Sequence, residues 1–292
     1  MSLTRLSLCK VNLLLNILGR RPDGFHELET LMQPVGLTDR LSFEKTGSGI
    51  ALSCSDPRLP TDSTNLVYRA AAAWLTAAAI TDGVRIQLEK HIPLAAGLGG
   101  GSGNAATTLL GLNELFERPL ALAQLTGIAA ALGSDVPFFL QANPALATGR
   151  GERVEPLAPL AALRDATLFL VHPGFGISTP WAYQELARFP SALHGRPGRA
   201  HELVALLQTG NLRRAGAALY NSLEAPALDK YPILALYQEF LREHGAAAAL
   251  MSGSGSTTFA LFERVADAES AREKFLGAFG ASCWTALVPA QP

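Results

Sequence analysis

Cysteine is scarce in this chain: Cys9, Cys54 and Cys283 are the only three in 292 residues. An odd number with no CxxC spacing argues against a disulfide framework and a cysteine zinc site, and predicts a reducing, cytoplasmic setting. Long hydrophobic runs are missing too. The longest apolar stretch of the first half, Ala70 to Ile80, is too short and too rich in alanine to span a bilayer. The opening MSLTRLSLCKVN breaks its apolar core at Lys10 and has no small-residue cleavage site, so no signal peptide is expected. Nor does one sign of charge dominate. Lys and Arg number 24 against 25 Asp and Glu, for a net charge of -1, and the pI is near 6.6. That balance leaves no global electrostatic footprint for nucleic acid or an anionic membrane, so a charged ligand must be met by a local site. Hydrophobic residues make up 48% and charged residues 17% of the chain, which excludes a disordered protein and supplies a sizeable core. The expected partner is a small molecule, on a protein that is a monomer or a weak homodimer.

Patterning then organises the chain. From Ser7 to Ile17 the residues alternate. Cys9, Val11, Leu13, Leu15 and Ile17 share one strand face; Leu8, Lys10, Asn12, Leu14 and Asn16 share the other. Lys10 and Asn12 thus stand side by side on a very apolar strand. The turn-rich Gly19–Gly24 reverses the chain. Asp62-Ser63-Thr64 offers an N-cap for a helix over Leu66 to Ile80, and Val84 to Glu89 alternates as a strand. A glycine-rich loop from Pro93 to Asn104 leads into a helix over Ala105 to Phe116. A second helix, Leu120 to Leu132, ends at Gly133, a position suited to a left-handed cap.

Beyond Pro156 the pattern changes, and a boundary is expected in Pro156–Pro159. A strand over Ala166 to His172 precedes several helices through Glu243. Strands at Ala247–Met251 and Thr258–Phe262, a helix over Val265 to Phe279 and a strand at Trp284–Val288 follow. This terminal β-β-α-β run predicts an antiparallel sheet with helices on one face, related to the ferredoxin-like arrangement.

The loop carries the strongest chemical signal. Five glycines between positions 97 and 103 let successive backbone N–H groups converge on an anion, and a helix N-terminus behind them adds partial positive charge. The alternative is a tightly packed glycine turn. A Walker A loop is excluded, because none of the five lysines completes GxxxxGK[ST]. Gly101 to Ala106 fits G-x-G-x-x-A, a weak dinucleotide fingerprint. Asp135, between Gly133 and Pro137, is a candidate general base, or else an ordinary turn aspartate. A lysine such as Lys10 beside it would favour its ionised form and stabilise charge developing on a phosphoryl group. Ser252-Gly253-Ser254-Gly255-Ser256 reads equally as a hairpin connection or as a segment closing over phosphates. His26 follows a turn, and the histidines show no metal-ligand spacing, so no protein-held metal is expected.

Together these segments resemble the GHMP kinase superfamily, which includes homoserine, mevalonate and galactose kinases. Pro93 to Ala106 looks like its phosphate-loop motif, and Met251-Ser252-Gly253-Ser254-Gly255 like its C-terminal glycine motif. Lys10-Val11-Asn12-Leu13, Arg21-Pro22-Asp23-Gly24-Phe25-His26, Asn65-Leu66, Gly133-Ser134-Asp135-Val136-Pro137 and His172-Pro173-Gly174 are similar, in the same order, to a branch whose acceptor is a cytidine diphosphate-linked polyol. The resemblance implies transfer of the ATP γ-phosphate to the 2-hydroxyl of 4-diphosphocytidyl-2-C-methyl-D-erythritol, in the non-mevalonate isoprenoid route. It implies an α+β, two-domain fold: an N-terminal ATP-binding α/β domain with ribosomal-protein-like βαβ elements over 1–156, and a C-terminal ferredoxin-like α+β domain over 157–292. Mg²⁺ would arrive with the nucleotide.

By position, the resemblance makes Asp135 the base and Lys10 its charged partner. Asn65 and Lys90 would lie near the adenosine. Pro93, Leu94, Ala95, Ala96, Gly97, Leu98, Gly99, Gly100, Gly101, Ser102 and Gly103 would wrap the phosphates, with Asn104 closing the motif. Asn12 and His26 would contact the acceptor, and its cytosine would lie between Phe25 and an aromatic of the Thr179–Tyr183 stretch, with Thr179 and Tyr183 as contacts. Two positions depart from the family pattern: Phe25 stands where Tyr is common, and Gly103 where Ser is common. A GHMP kinase for another small alcohol such as homoserine or mevalonate, a catalytically silent nucleotide-binding regulator and a dinucleotide oxidoreductase are the competing readings.

Overall fold

In the computed structural model, which describes residues 2–292, the alternation read in Ser7–Ile17 belongs to a longer strand, β1 (Ser2–Arg20). Its central residues are buried on both faces: Lys10 and Asn12 are each 3% exposed and Asn16 and Leu14 are fully buried. A strand covered on both sides cannot leave a lysine in water, so Lys10 must find partners inside the protein. After the turn at residues 21–25 the chain returns as β2 (His26–Thr46), 21 residues long. Pro34 and Gly36 interrupt the sequence pattern of this strand without ending it.

The chain forms two compact units that are discontinuous in sequence. The first combines the start of the chain to Cys9, Leu37–Ile92 and Gly99–Ala142. In it β3 (Ile50–Cys54) pairs parallel with β4 (Gly83–Glu89), and β4 pairs antiparallel with the second half of β2, Arg40 opposite Glu89 through Thr46 opposite Gly83. Three helices accompany these strands: α1 (Leu66–Ala77), α2 (Gly100–Leu115) and α3 (Leu122–Leu132). Gly111 of α2 lets the helix settle on Phe43, where a Cβ would come within 2.6 Å of the ring. Trp74 of α1 is fully buried.

Three local expectations are corrected here. The cap of α1 is Asn65, whose side-chain oxygen accepts the Val67 N–H at 2.8 Å; Asp62 instead closes its own turn on the Thr64 N–H at 2.9 Å. The phosphate-loop helix begins at Gly100, not Ala105, so the last glycines of the motif are its first turn. Gly133 has φ 171 and ψ 155, extended backbone rather than a left-handed cap.

The second unit holds Lys10–Gly36, Pro93–Leu98 and Asn143–Pro292. There β5 (Ala145–Gly149) pairs antiparallel with the start of β2 and with β6 (Arg153–Pro156). After β7 (Thr167–His172) come α4 (Thr179–Glu185), α5 (Pro190–Leu193), α6 (Arg199–Gln208) and α7 (Leu212–Gly216). The two-residue β8 (Tyr220–Asn221) pairs parallel with β1 at Leu14 and Leu15. Helices α8 (Glu224–Lys230) and α9 (Ile233–Glu243), the hairpin β9 (Ala248–Met251) and β10 (Thr258–Phe262), α10 (Val265–Phe279) and β11 (Trp284–Pro289) complete it.

The strand order β11-β7-β10-β9 is antiparallel throughout, in keeping with the sequence reading of the terminal β-β-α-β run. Its apolar core gathers Phe169, Phe262, Phe275 and Tyr237. Among the described residues no helix is long and apolar enough to cross a membrane.

Candidate active site

The first half of the glycine loop is built against the hairpin turn of β9 and β10. Gly97 has φ +76, a conformation that L side chains rarely adopt, and a Cβ there would sit 2.1 Å from the Ser252 carbonyl oxygen. Its own carbonyl accepts from the Ser252 hydroxyl at 3.0 Å and from the Lys10 ammonium at 3.2 Å. The Thr257 N–H reaches the Ala96 carbonyl at 3.2 Å, and the Lys10 N–H reaches the Leu98 carbonyl at 2.9 Å. Ser252–Ser256 is a hairpin connection, as one sequence reading had it. It is also the surface on which residues 96–98 are laid. Pro93 and Leu94 are half-buried; Ala95, at φ 52, is exposed.

The second half of the loop starts α2. Gly99 is its N-cap at φ 69, with no side-chain cap. The first helical bond runs from the Gly103 N–H to the Gly99 carbonyl at 2.9 Å, so the amides of Gly100, Gly101 and Ser102 are the open donors of the first turn. Open amides at a helix start, with the helix dipole, suit an anion. Gly101 is exposed and Ser102 half-buried on this turn. Gly103 is not one of these open donors, its N–H being used in the first helical bond. It is buried, and a Cβ on it would meet the Leu8 carbonyl oxygen at 2.5 Å and the Ser7 hydroxyl at 3.1 Å. A serine side chain at 103 would point into β1.

Lys10 and Asn12 do meet, as their shared strand face required. The Lys10 ammonium donates to the Asn12 side-chain oxygen at 2.5 Å. The Asn12 amide donates to Thr30 at 2.8 Å, and the Thr30 hydroxyl to the Leu14 carbonyl at 2.6 Å. The Asn12 N–H also reaches the Ser252 hydroxyl at 3.3 Å. Lys10, Asn12, Thr30 and Ser252 therefore form one buried polar chain, which fixes the ammonium beside residue 97. Asp135 sits in the other unit, half-buried in the tight turn between α3 and the 3₁₀ turn Pro137–Leu140, with the Val136 N–H bonded to the Gly133 carbonyl at 3.1 Å.

Asn65 and Lys90, the residues expected near an adenosine, are both committed to structural bonds. Besides capping α1, Asn65 donates to the Pro60 carbonyl at 2.7 Å. The Lys90 ammonium pairs with Asp39 and donates to the Asn104 side-chain oxygen at 3.3 Å. Asn104 is 2% exposed and its amide donates to Ser7 at 3.0 Å and Asp39 at 2.9 Å.

Around residues 21–26 an aromatic surface forms. Phe25 is 52% exposed, and the Arg150 guanidinium lies 4.6 Å from its ring centroid. His26 lies 5.1 Å from Tyr183 between ring centroids. Burial, then the charge of Arg20, lowers the His26 pKa below its ordinary value, which favours the neutral ring. Thr179, the first residue of α4, shares a 2.8 Å hydroxyl bond with Ser254. Among the described residues no cluster of three or more His, Cys, Asp or Glu converges to hold a metal.

Sequence reasoning missed Asp39, Thr30 and Arg150. Asp39 and Thr30 lie in β2, whose pattern was not legible. Arg150 lies in the tight turn joining β5 to β6, next to Gly149 and Gly151, and that doublet was its only signal.

The sequence profile of the GHMP kinases N terminal domain matches residues 65–143, within 1–156, and that of the GHMP kinases C terminal region matches 203–281, within 157–292. The 4-diphosphocytidyl-2-C-methyl-D-erythritol kinase of Pelotomaculum thermopropionicum is 44% identical over 274 residues, 94% of this chain and 92% of that one. The protein of the same name from Moorella thermoacetica is 43% identical over 264 residues, 90% of each chain. A crystal structure of 4-(cytidine 5'-diphospho)-2C-methyl-D-erythritol kinase superposes with a TM-score of 0.82 at 38% identity, over 98% of this chain and 99% of that one. A homoserine kinase from Cytophaga hutchinsonii, at 19% identity and a TM-score of 0.76 over 98% of this chain and 94% of that one, shares the fold. With the loop, the buried lysine and these likenesses in place, the chain belongs to the GHMP kinase family.

Proposed function

We propose that this chain is a small-molecule kinase that transfers the γ-phosphoryl group of ATP to the 2-hydroxyl of 4-diphosphocytidyl-2-C-methyl-D-erythritol, in the non-mevalonate route to isoprenoid precursors. The observation that carries this reading is the likeness, along nine-tenths of the chain and at 44% identity, to a kinase named for that acceptor. The uncapped first turn of α2 supplies the phosphate chemistry it requires.

The ATP triphosphate lies along residues 93–102, held by backbone N–H groups and the helix dipole, with Asn65 and Lys90 on its adenosine side. Asp135 orients the acceptor hydroxyl and takes its proton as the oxygen attacks the γ-phosphorus and the bond to the β–γ bridging oxygen breaks, releasing ADP. The Lys10 ammonium offsets charge gathering on the transferring group. Asn12 and the neutral ring of His26 contact the acceptor. Phe25 and Tyr183 flank its cytosine, and Thr179 stands behind them on α4.

A magnesium ion fits this site only in company with the nucleotide. Ser102 and Asp135 are the hard oxygen donors this reading would offer it, too few to hold it alone, and it would supply neutralisation of phosphate charge. The protein works in the cytoplasm, on a small molecule.

The deciding experiment is a coupled ADP-release assay with ATP, Mg²⁺ and the cytidine diphosphate-linked acceptor, with mass spectrometry of the product. One added phosphoryl group, with no turnover of cytidine-free methylerythritol, establishes the substrate. ATP binding without product transfers the reading to another alcohol acceptor of the family, such as homoserine or mevalonate.

A further inference from the structure

Asp39 is fully buried on β2, and both of its carboxylate oxygens are used. One accepts the backbone N–H groups of His91 at 2.7 Å and Ile92 at 2.9 Å. The other accepts from the Lys90 ammonium and from the Asn104 side-chain amide at 2.9 Å. Ile92 is the residue before Pro93, and Asn104 the residue after Gly103. A single carboxylate therefore grips the chain at both ends of the glycine loop, and Asn104 extends the grip to β1 through its 3.0 Å bond to Ser7.

Such a loop needs an external anchor. Its glycines give it conformational freedom, and an anion seat made of backbone amides works only while they converge. A buried charge with four donors is rigid, because every alternative leaves it unpaired in a low-dielectric interior. We infer that Asp39 is a positioning residue for the phosphoryl donor: it clamps the neck of the 93–103 loop and so holds the loop amides in register for the triphosphate. This rests on the reading of that loop as the ATP site.

The test compares wild type with Asp39→Asn and Asn104→Ala. An amide at 39 keeps one acceptor oxygen for His91 and Ile92 but turns an NH₂ group toward the Lys90 ammonium and the Asn104 amide, donor against donor. Asn104→Ala removes the bridge from Asp39 to α2, together with the Asn104 bonds to Ser7 and Lys90, but leaves the carboxylate and its bonds to His91, Ile92 and Lys90 in place, and decides the matter if the first variant does not fold. Two readouts are taken on the full chain: hydrogen exchange of amides 94–103 without ligand, and steady-state kinetics with each substrate varied.

The expected result is loop exchange faster by about tenfold or more, a KM for ATP raised by a similar factor, and a KM for the acceptor within about twofold of wild type. Unchanged loop exchange in a folded variant overturns the inference. So does a parallel rise in both KM values, which a merely structural role would produce. If wild type fails to use ATP while the variants still loosen the loop, the kinase reading falls and the clamp stands.

Discussion

The Lys10 ammonium donates to the Gly97 carbonyl at 3.2 Å, and the Ser252 hydroxyl donates to the same carbonyl at 3.0 Å. The buried lysine on β1 thus fixes the backbone of the glycine loop, and in the proposed reaction it also places its charge. Lys10→Met keeps the stem but leaves Asn12 and Gly97 each short of one donor. We expect kcat to fall by roughly 10²-fold or more, the scale of removing one preorganised donor from a charged transition state. A folding cost of about 1–3 kcal/mol should accompany it, from buried acceptors left short of a partner. ADP release and thermal denaturation check the two parts separately. A variant with near-normal kcat would confine Lys10 to the structural job.

For Asp135 the expectation is sharper, because its neighbours already fix its turn. Asp135→Asn leaves the Val136–Gly133 backbone bond untouched and replaces the proposed proton acceptor with an amide of the same shape. Turnover should fall by roughly 10²- to 10⁴-fold, while the dissociation constant for ATP, measured by calorimetry, stays close to wild type. Near-normal turnover removes Asp135 from the role of base.

How much of this was legible beforehand depended on how local each signal was. The alternation of β1, the glycine loop, and the terminal sheet with α10 carry their periodicity within a dozen residues, and the structure contains them. The start of α2 was placed five residues late because glycine has poor helix propensity, while here packing of Gly103 against β1 overrides it. β2 was illegible because Pro34 and Gly36 break its pattern. Asp39 was invisible for a different reason. Its partners lie 51 to 65 positions away, and a single aspartate in a polar stretch carries no local mark of burial. The cap of α1 failed through competition: Asp62, Ser63, Thr64 and Asn65 are all good caps, and sequence alone does not choose among them.

Gly103 offers a test in which sequence and structure point in opposite directions. Serine is common there in the family, so Gly103→Ser looks like a restoration. The Cβ it adds would come within 2.5 Å of the Leu8 carbonyl, and backbone cannot yield as a side-chain tip can. We expect a loss of about 1–3 kcal/mol, seen as a fall in Tm of about 2–4 °C for each kcal/mol, with no improvement in the KM for ATP. An unchanged Tm together with a lower Mg²⁺ requirement would return position 103 to the phosphate side.

His26 predicts a pH dependence whose sign follows from its surroundings. Burial first, and then the charge of Arg20, lowers its pKa from the ordinary 6.5, so the folded protein prefers the neutral ring. The unfolded chain binds the proton at higher pH than the folded one. The stability contributed by this group is therefore complete above about pH 6.5 and is lost as pH falls from there through the lowered folded value. If the neutral ring also contacts the acceptor, the KM for that substrate should be flat between about pH 8 and 6.5 and rise only below it. His26→Gln, neutral throughout, should raise that KM at every pH and abolish the acid limb. Acceptor KM across the range, with an NMR titration of the His26 ring, separates the cases. A wild-type acid limb that survives intact in His26→Gln assigns the titration to another group and leaves His26 without a part in acceptor binding.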